Sequence, residues 1–496
     1  MGTSTPSLRM ACKHCLGEGT LMKQTRSSPH HPKLTCILAL FLILAAIPLA
    51  VWIVNQTKGI KTRAEITMGN LITIDPSSNA GSVNPLTWGI GAPGSEIWRG
   101  TDPTVIQRIK DAKIKLIRIG AIQYSNYHLG GQTCTSPTDC NFSDMDQMLR
   151  AIFDADAEPL FTLAGYPGGF PQHDWQSYAI FMQQVVKRYD IDFVLGKKVR
   201  YWEMWNEPQI EGDGTIPTVQ EYADFVIIVG GAMKAIDPSI KIVAPAAPSP
   251  DLGSHGWLSY IAKNTNDLVD ILSWHHYGRY NDTDQIRLDK EKTMYYDNVV
   301  KVETGADFVS LSGKRYGAAI TEYNMAGQSL AHGSPSKFRS SYNAVFIANA
   351  IVQAMRAKVD LFTFYLLAQL GPNLLGVLDY NNKWAPYKPY YTFYMFGNHS
   401  GTTLINGSSG TNTLVYIASK SQDEGKIYVI VVNISITSAP QITLQIKGTL
   451  SGNYTRYLLD ANNNPTAGTP GMYTGGQITY TLPALSIAAF DIVPTP

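Results

Sequence analysis

The sequence is poor in charge. Of its 496 residues, 16% are Asp, Glu, Lys or Arg, and the formal net charge is +1. Globular proteins average about 25% charged residues. A chain with no basic field cannot meet a phosphate backbone, which excludes nucleic acid as a partner. Nor is the chain an acidic disordered polymer, because 44% of its residues are hydrophobic. Cysteine is scarce, with five residues. Cys12 and Cys15 form a C-x-x-C near His14, His30 and His31. No second C-x-x-C follows to make up the four ligands of a zinc site, so this pair reads as part of an inert tail. Cys36 lies in an apolar run. Cys134 and Cys140 flank the loop TSPTD and can close a small disulfide in an oxidising compartment. No G-x-x-x-x-G-K-[ST] phosphate loop is present. No metal-ligand cluster marks the main body, and neither a cofactor nor a metal is expected.

Tyrosine and glycine are plentiful, at 27 and 42 residues. This nearly neutral make-up suits a surface that meets a neutral polar ligand. Residues 34–54, LTCILALFLILAAIPLAVWIV, carry no charge. About 20 such residues span a hydrocarbon core, and the run exceeds the 7–15 residues typical of a secretory h-region. Arg9, Lys13, Lys23, Arg26 and Lys33 precede it, and Lys58, Lys61 and Arg63 follow it. The charge bias favours an inside tail and an outside body. We expect a single-pass signal anchor with the body on the extracellular face, the alternative being a cleaved signal and secretion. Seven N-x-[ST] triplets, at Asn55, Asn141, Asn281, Asn398, Asn406, Asn433 and Asn453, agree with export without proving it.

Beyond a linker, eight short apolar runs alternate with amphipathic stretches. They are LTWGIG (86–91), KLIRIG (115–120), EPLFTLAG (158–165), VRYWEMW (199–205), IKIVAPAA (241–247 with its flank), LVDILSWHHY (268–277), YGAAITEY (316–323) and VDLFTFYLL (359–367). Among the intervening stretches, Met145, Met148, Ile152 and Phe153 recur at helical spacing. Eight βα repeats over roughly 310 residues predict a (β/α)8 TIM barrel, with an open doubly wound sheet as the structural alternative. After residue 396 the texture becomes short, β-rich and turn-punctuated. Ile442, Leu444 and Ile446 alternate with polar residues, as in a half-buried strand, and the segment predicts an accessory β-sandwich. The expected organisation is a polar tail at 1–33, a span at 34–54, a linker and sandwich-pairing strand at 55–85, the barrel at 86–395 and the sandwich at 396–496.

In such a barrel the carboxyl ends of the strands share one pocket. Strand two ends near Arg118, strand four in Trp205-Asn206-Glu207-Pro208, strand six in Trp274-His275-His276-Tyr277 and strand seven in Thr321-Glu322-Tyr323-Asn324. Two carboxylates on different strands are the requirement of glycoside hydrolysis, one protonated and one ionised. Arg118 can keep one of them ionised. Glu203 is a rival carboxylate, but it falls inside the strand, which suits a buried hydrogen-bonding role.

The stretch YWEMWNEP, followed by PTVQEYADF and AIDPSIKIVAPA, resembles the clan A retaining glycoside hydrolases, and most of all glycoside hydrolase family 39. The resemblance covers about 70 to 496. It implies that Glu207 is the acid/base and Glu322 the nucleophile. It further implies that Asn206 holds the sugar 2-hydroxyl, and that Tyr277, in the H-x-Y begun by His275, bonds the nucleophile. Arg118 matches the arginine that ends strand two in that family. The implied activity is hydrolysis of β-linked oligo- or polysaccharides by double displacement, in the manner of a β-xylosidase or an endo-β-glycanase. One departure stands out: strand eight, LFTFYLLAQ, lacks the Trp such barrels commonly place there. Tyr365 and Trp384 are the candidates for its place. Trp98, Tyr124, Tyr166, Phe170 and Trp384 are candidate sugar platforms in loops, and of these Tyr166 and Trp384 are taken as substrate-binding. Asp379 and Lys388 suit a sugar contact or a turn equally well. The alternatives are a non-catalytic glycan-binding surface protein and a transglycosidase on the same scaffold.

Overall fold

A computed structural model describes residues 70–92, 102–123, 133–168, 170–210, 216, 218–278, 282, 284–326, 335–368, 375–423 and 425–495. The expected span at 34–54, the Cys12/Cys15 pair, Cys36, Trp98 and Tyr124 lie outside these residues. Among the described residues no helix is long and apolar enough to cross a membrane.

Eight parallel strands close into a barrel. They are β1 (Gly89–Gly91), β2 (Leu116–Ile119), β3 (Glu158–Thr162), β4 (Tyr201–Glu203), β5 (Lys241–Ala247), β6 (Ile271–Tyr277), β7 (Gly317–Asn324) and β8 (Leu361–Tyr365). Closure comes from β8 pairing back onto β1, with Thr363 opposite Gly89 and Tyr365 opposite Gly91. The junction is tight. A Cβ on Gly89 would stand 2.8 Å from Leu116 Cβ and 2.9 Å from Phe362 O, so a larger residue would force β1 away from both neighbours.

Helices cover the barrel, and their starts are written locally. Asp102 accepts from Thr104 N at 2.8 Å ahead of Pro103–Asp111, with Pro103 in the first turn. The helix Ser143–Asp154 buries Met145, Met148, Leu149, Ile152 and Phe153 as one stripe. The short ladder Cys134–Ser136/Asp139–Cys140 precedes it and carries a Cys134–Cys140 disulfide.

The C-terminal strands, joined by Leu71–Asp75 and Gly81–Ser82, form one eleven-stranded sheet. Ile72 and Ile74 share an apolar core with Val429, Val431, Ile442, Leu444 and Phe490, so the sheet folds over into two layers. Period two does the rest. On strand Ile427–Asn433, Val429 and Val431 face that core, while Ile430 and Val432 join the core of the barrel. Helix Ser341–Ala357 lies between the two and is buried along all of its length except Arg356.

Two glycosylation triplets are structural. Asn433 is fully buried, and its amide donates to Ser438 O and Pro483 O, both at 2.8 Å. The Asn398 amide donates to Asp111 O at 2.8 Å and Tyr394 O at 3.0 Å.

A cavity of about 1060 Å³ opens at the amino-terminal end of the barrel, where Lys115 and Tyr201 begin strands. It is therefore remote from the strand ends that carry the chemistry. Asp190 lines it, 3% exposed. Its Oδ1 accepts from Val199 N at 2.7 Å, while Oδ2 has no hydrogen-bond partner. Burial, reinforced by Asp237, raises its pKa to about 7. The fold therefore holds a proton that the unfolded chain releases near pH 4, and stability falls as pH rises from about 4 to about 7. Asp190→Asn keeps the acceptor for Val199 and removes the charge. Thermal unfolding should show a higher Tm for the variant at pH 8 and little difference at pH 4.

Candidate active site

Above the barrel floor the interior changes from apolar to polar within two residues. Leu116, Leu160, Val243, Ile271, Ala319 and Leu361 form a closed aliphatic layer. Side chains two positions further on point the same way. On β2 and β3 these are Arg118 and Thr162. On β4 the inward Tyr201 is followed by Glu203.

Arg118, 3% exposed, joins three strand ends. Its Nε donates to Glu203 Oε2 at 2.5 Å, Nη1 to Glu322 Oε1 at 2.6 Å and Nη2 to Asn206 Oδ1 at 2.6 Å. Glu203 is fully buried and also accepts from Thr162 Oγ1 at 2.9 Å. It is thus a partner of Arg118, walled off from the cleft. The two flanking carboxylates push the guanidinium pKa up against the opposing effect of burial.

Glu322 owes its direction to a bulge. Trp274 pairs with Ile320 but His275 pairs with Glu322, so Thr321 is an extra residue in β7. With strict alternation from the inward Ala319, Glu322 would point outward. The extra residue turns it in, and Tyr323 turns out to stack on Phe362, with ring centroids 4.1 Å apart. Glu322 Oε2 accepts from Tyr277 OH at 2.5 Å. Burial pushes the Glu322 carboxyl up. The charges of His275 and Arg118, with hydrogen bonds from Tyr277 and Arg118, outweigh this and hold it below the usual carboxylate value. Burial and the facing Glu322 carboxylate push the Tyr277 phenol well above its usual value, so it stays a donor.

Glu207 sits on a strained turn. Trp205 and Glu207 both have left-handed backbones, with φ of 75° and 40°, a conformation that persists only when its surroundings enforce it. The enforcement is visible. Trp205 is 1% exposed and packs edge-on against Tyr166, Trp175 and Phe225, at centroid distances of 5.2, 6.2 and 5.7 Å. Ala246, itself left-handed at φ 53°, accepts the Glu207 N–H at 3.1 Å. His275 Nδ1 lies 2.7 Å from Glu207 Oε1 and 3.5 Å from Glu322 Oε2. A carboxylate oxygen of each Glu and a His275 nitrogen lie within 4.8 Å of one another. Such a donor set can hold a metal cation, but Arg118, already bonded to Glu322, opposes a second positive charge there.

The structure thus brings Arg118, Asn206, Glu207, His275, Tyr277 and Glu322 together. The side-chain contacts of Trp384 are with other residues. Trp384 is 5% exposed, its N–H donates to Asp102 Oδ2 at 2.5 Å, and Tyr380 meets it edge-on. It anchors its loop to the helix that follows β1. Tyr166 is half-buried against Trp205 and stacks near Trp175 and His173, so it supports the Glu207 turn. Phe170 packs edge-on against Phe181. Of the two candidates for the missing Trp, Tyr365 is the one at the site, edge-on to Tyr277 at 6.4 Å. Asp379 caps its turn through Asn381 N, and Lys388 reaches Asn463 O and Asn464 Oδ1. His276 points away from the site to Glu291 at 2.8 Å.

The sequence pattern of glycosyl hydrolases family 39 matches residues 171–441, more than half of the chain. The chain belongs to glycosyl hydrolases family 39. It is therefore a glycoside hydrolase by family, and a carbohydrate is its substrate. Solved structures share the fold. A glucosidase from Croceicoccus marinus superposes with a TM-score of 0.67 at 17% identity, covering 86% of this chain and 99% of that one. A monomeric β-xylosidase from Caulobacter crescentus CB15 gives 0.66 at 13%, covering 86% and 100%. The family 39 enzyme from Xanthomonas axonopodis pv. citri gives 0.63 at 12%, covering 86% and 98%. Comparison with curated proteins finds no match.

In this family 39 chain, removing Arg118 strands two buried carboxylates. Arg118→Met should destabilise the fold by about 3–5 kcal/mol at pH 7. A carboxyl held below its usual value stabilises above that value and loses its contribution as pH falls through the depressed one. The deficit should therefore shrink towards pH 4, as read by urea unfolding.

Proposed function

We propose that the protein is a retaining β-glycosidase in which Glu207 is the acid/base and Glu322 the nucleophile. The observation that carries this reading is the approach of the two carboxylates, one oxygen of each lying within 4.8 Å of one oxygen of the other. Retaining enzymes hold the pair about 5–5.5 Å apart, whereas inverting enzymes leave about 6.5–9.5 Å for a water.

The groups divide by environment. Glu322 is ionised, lowered by Arg118 and His275, and attacks the anomeric carbon. Glu207, with its side chain 19% exposed, gives its proton to the departing glycosidic oxygen. The bond to the leaving group breaks as the ester to Glu322 forms. A water then loses a proton to the Glu207 carboxylate and attacks the same carbon. Glu322 departs ionised and Glu207 regains its proton. Asn206, fixed by Arg118, faces the sugar 2-hydroxyl. The substrates proposed are β-xylosides or β-linked glucans. The Cys134–Cys140 disulfide supports a body outside the membrane, anchored through 34–54 or secreted.

Azide separates the two roles. With an aryl β-glycoside, Glu322→Ala should lose about 10⁴-fold or more in kcat, and azide should restore turnover to the α-glycosyl azide. Glu207→Ala with azide should yield the β-glycosyl azide. The same configuration from both variants, or undiminished hydrolysis by both, overturns the assignment. Tyr277→Phe removes one of the bonds that lowers Glu322, so the acidic limb of kcat/KM should move to higher pH, with a loss of roughly tenfold to a hundredfold.

A further inference from the structure

A second cavity, of about 720 Å³, lies on the flank of the barrel. It runs between helices Asp284–Thr304 and Ser341–Ala357 on one side and strands Asn406–Ser409 and Leu414–Lys420 on the other. Among the described residues its charged lining has one sign: Lys292, Arg356 and Lys358, with no Asp or Glu. The whole chain balances 40 basic against 39 acidic residues, so this is a local departure from neutrality.

Among the described residues, neither Lys292 nor Arg356 bonds to a carboxylate. Lys292 Nζ donates to Asn412 O at 2.9 Å and Arg356 Nη2 to Tyr416 O at 2.7 Å. Both acceptors are neutral carbonyls. Arg356 lies 5.0 Å over the Tyr416 ring and is the one exposed residue of its helix. Burial within the groove works against its charge, and only the phenols of Tyr416 and Tyr296 work for it. The Lys358 charge acts on Glu303, whose carboxyl burial raises to about 7, but Glu303 is not among the residues that line the groove. A cation partly stripped of water with no carboxylate partner gains most from an incoming anion.

The rest of the lining specifies the kind of anion. Tyr296 lines the groove and is 40% exposed, an aromatic ring of the kind that meets the C–H groups of a sugar. Ser408, Ser409 and Thr411 offer hydroxyls along the opposite wall. An aromatic ring, hydroxyls and positive charge in one cleft suit a pyranose that bears a carboxylate. We propose that this groove binds a segment of acidic polysaccharide through its uronate groups. Lys358 directly precedes β8, at the opposite end of the barrel from Glu322. The groove is thus an accessory site that holds polymer without occupying the catalytic pocket. That use rests on the glycosidase reading, whereas binding itself is measured without turnover.

The test is affinity electrophoresis of the full chain in mild detergent, through gels holding polygalacturonate, neutral xylan or single-stranded DNA of matched charge. Retardation by polygalacturonate alone is expected. It should weaken by about two- to fivefold for each cation removed in Lys292→Gln, Arg356→Gln and Lys358→Asn. The Lys292→Gln/Lys358→Asn pair leaves the Arg356–Tyr416 packing intact, and Asn tolerates the left-handed backbone of Lys358 at φ 59°. An unchanged Tm for that pair separates lost binding from lost folding. Hydrolysis of an aryl β-xyloside, the separate readout of the catalytic reading, should be unaltered in all three variants. No retardation, equal retardation by DNA, or retardation that survives removal of the cations overturns the proposal.

Discussion

The guanidinium of Arg118 is the constraint on which the centre of the barrel depends. It is buried, and its three nitrogens donate to Glu203, Asn206 and Glu322, which belong to β4, the turn after it, and β7. One positive charge facing two carboxylates leaves the cluster short of charge. The remaining acceptor sites draw in Tyr277 OH and His275 Nδ1. A buried cluster of this kind is stable only when every ionised member keeps its partner. The same requirement fixes the geometry. Arg118 has a rigid planar fork, so β2, β4 and β7 can satisfy it only in a closed barrel.

Backbone irregularity supplies the remaining precision. The bulge at Thr321 turns Glu322 inward. The left-handed Trp205 and Glu207 lift the second carboxylate over the mouth of the barrel. Each irregularity is locally unfavourable and is held by packing elsewhere: Tyr323 on Phe362 in one case, the aromatic group around Trp205 in the other. Aromatic residues that look like sugar platforms in the sequence are in part this packing. Tyr166 serves the turn and Trp384 serves a loop. The sandwich stabilises the barrel from outside, because strand Ile427–Asn433 contributes to two cores at once.

Much of this was legible in the amino-acid order. The eight βα repeats, the residues at the strand ends and the β-rich tail rest on local periodicity, and local periodicity survives folding. Parallel strands send their carboxyl ends to one side, so Arg118, Glu207, His275, Tyr277 and Glu322 could be assigned to one pocket from their spacing along the chain. Glu203 could be set apart from Glu207 because only the latter follows the strand.

The tertiary structure decided what local order does not encode. A period-two pattern places Glu322 on either face of β7 until the partner strand shows where the extra residue falls. An aromatic side chain in a loop is a platform or an anchor according to which neighbours close over its ring, and those neighbours are distant in the chain, as Asp102 is from Trp384. The carboxylate separation is a distance across the barrel, set by strand tilt and closure. The sequence by itself determined the fold class and the chemistry of the strand ends. Folding alone decided which side chains face inward, how far apart the carboxylates stand, and where Lys292, Arg356 and Lys358 meet on the flank, because these are contacts between residues far apart in the chain.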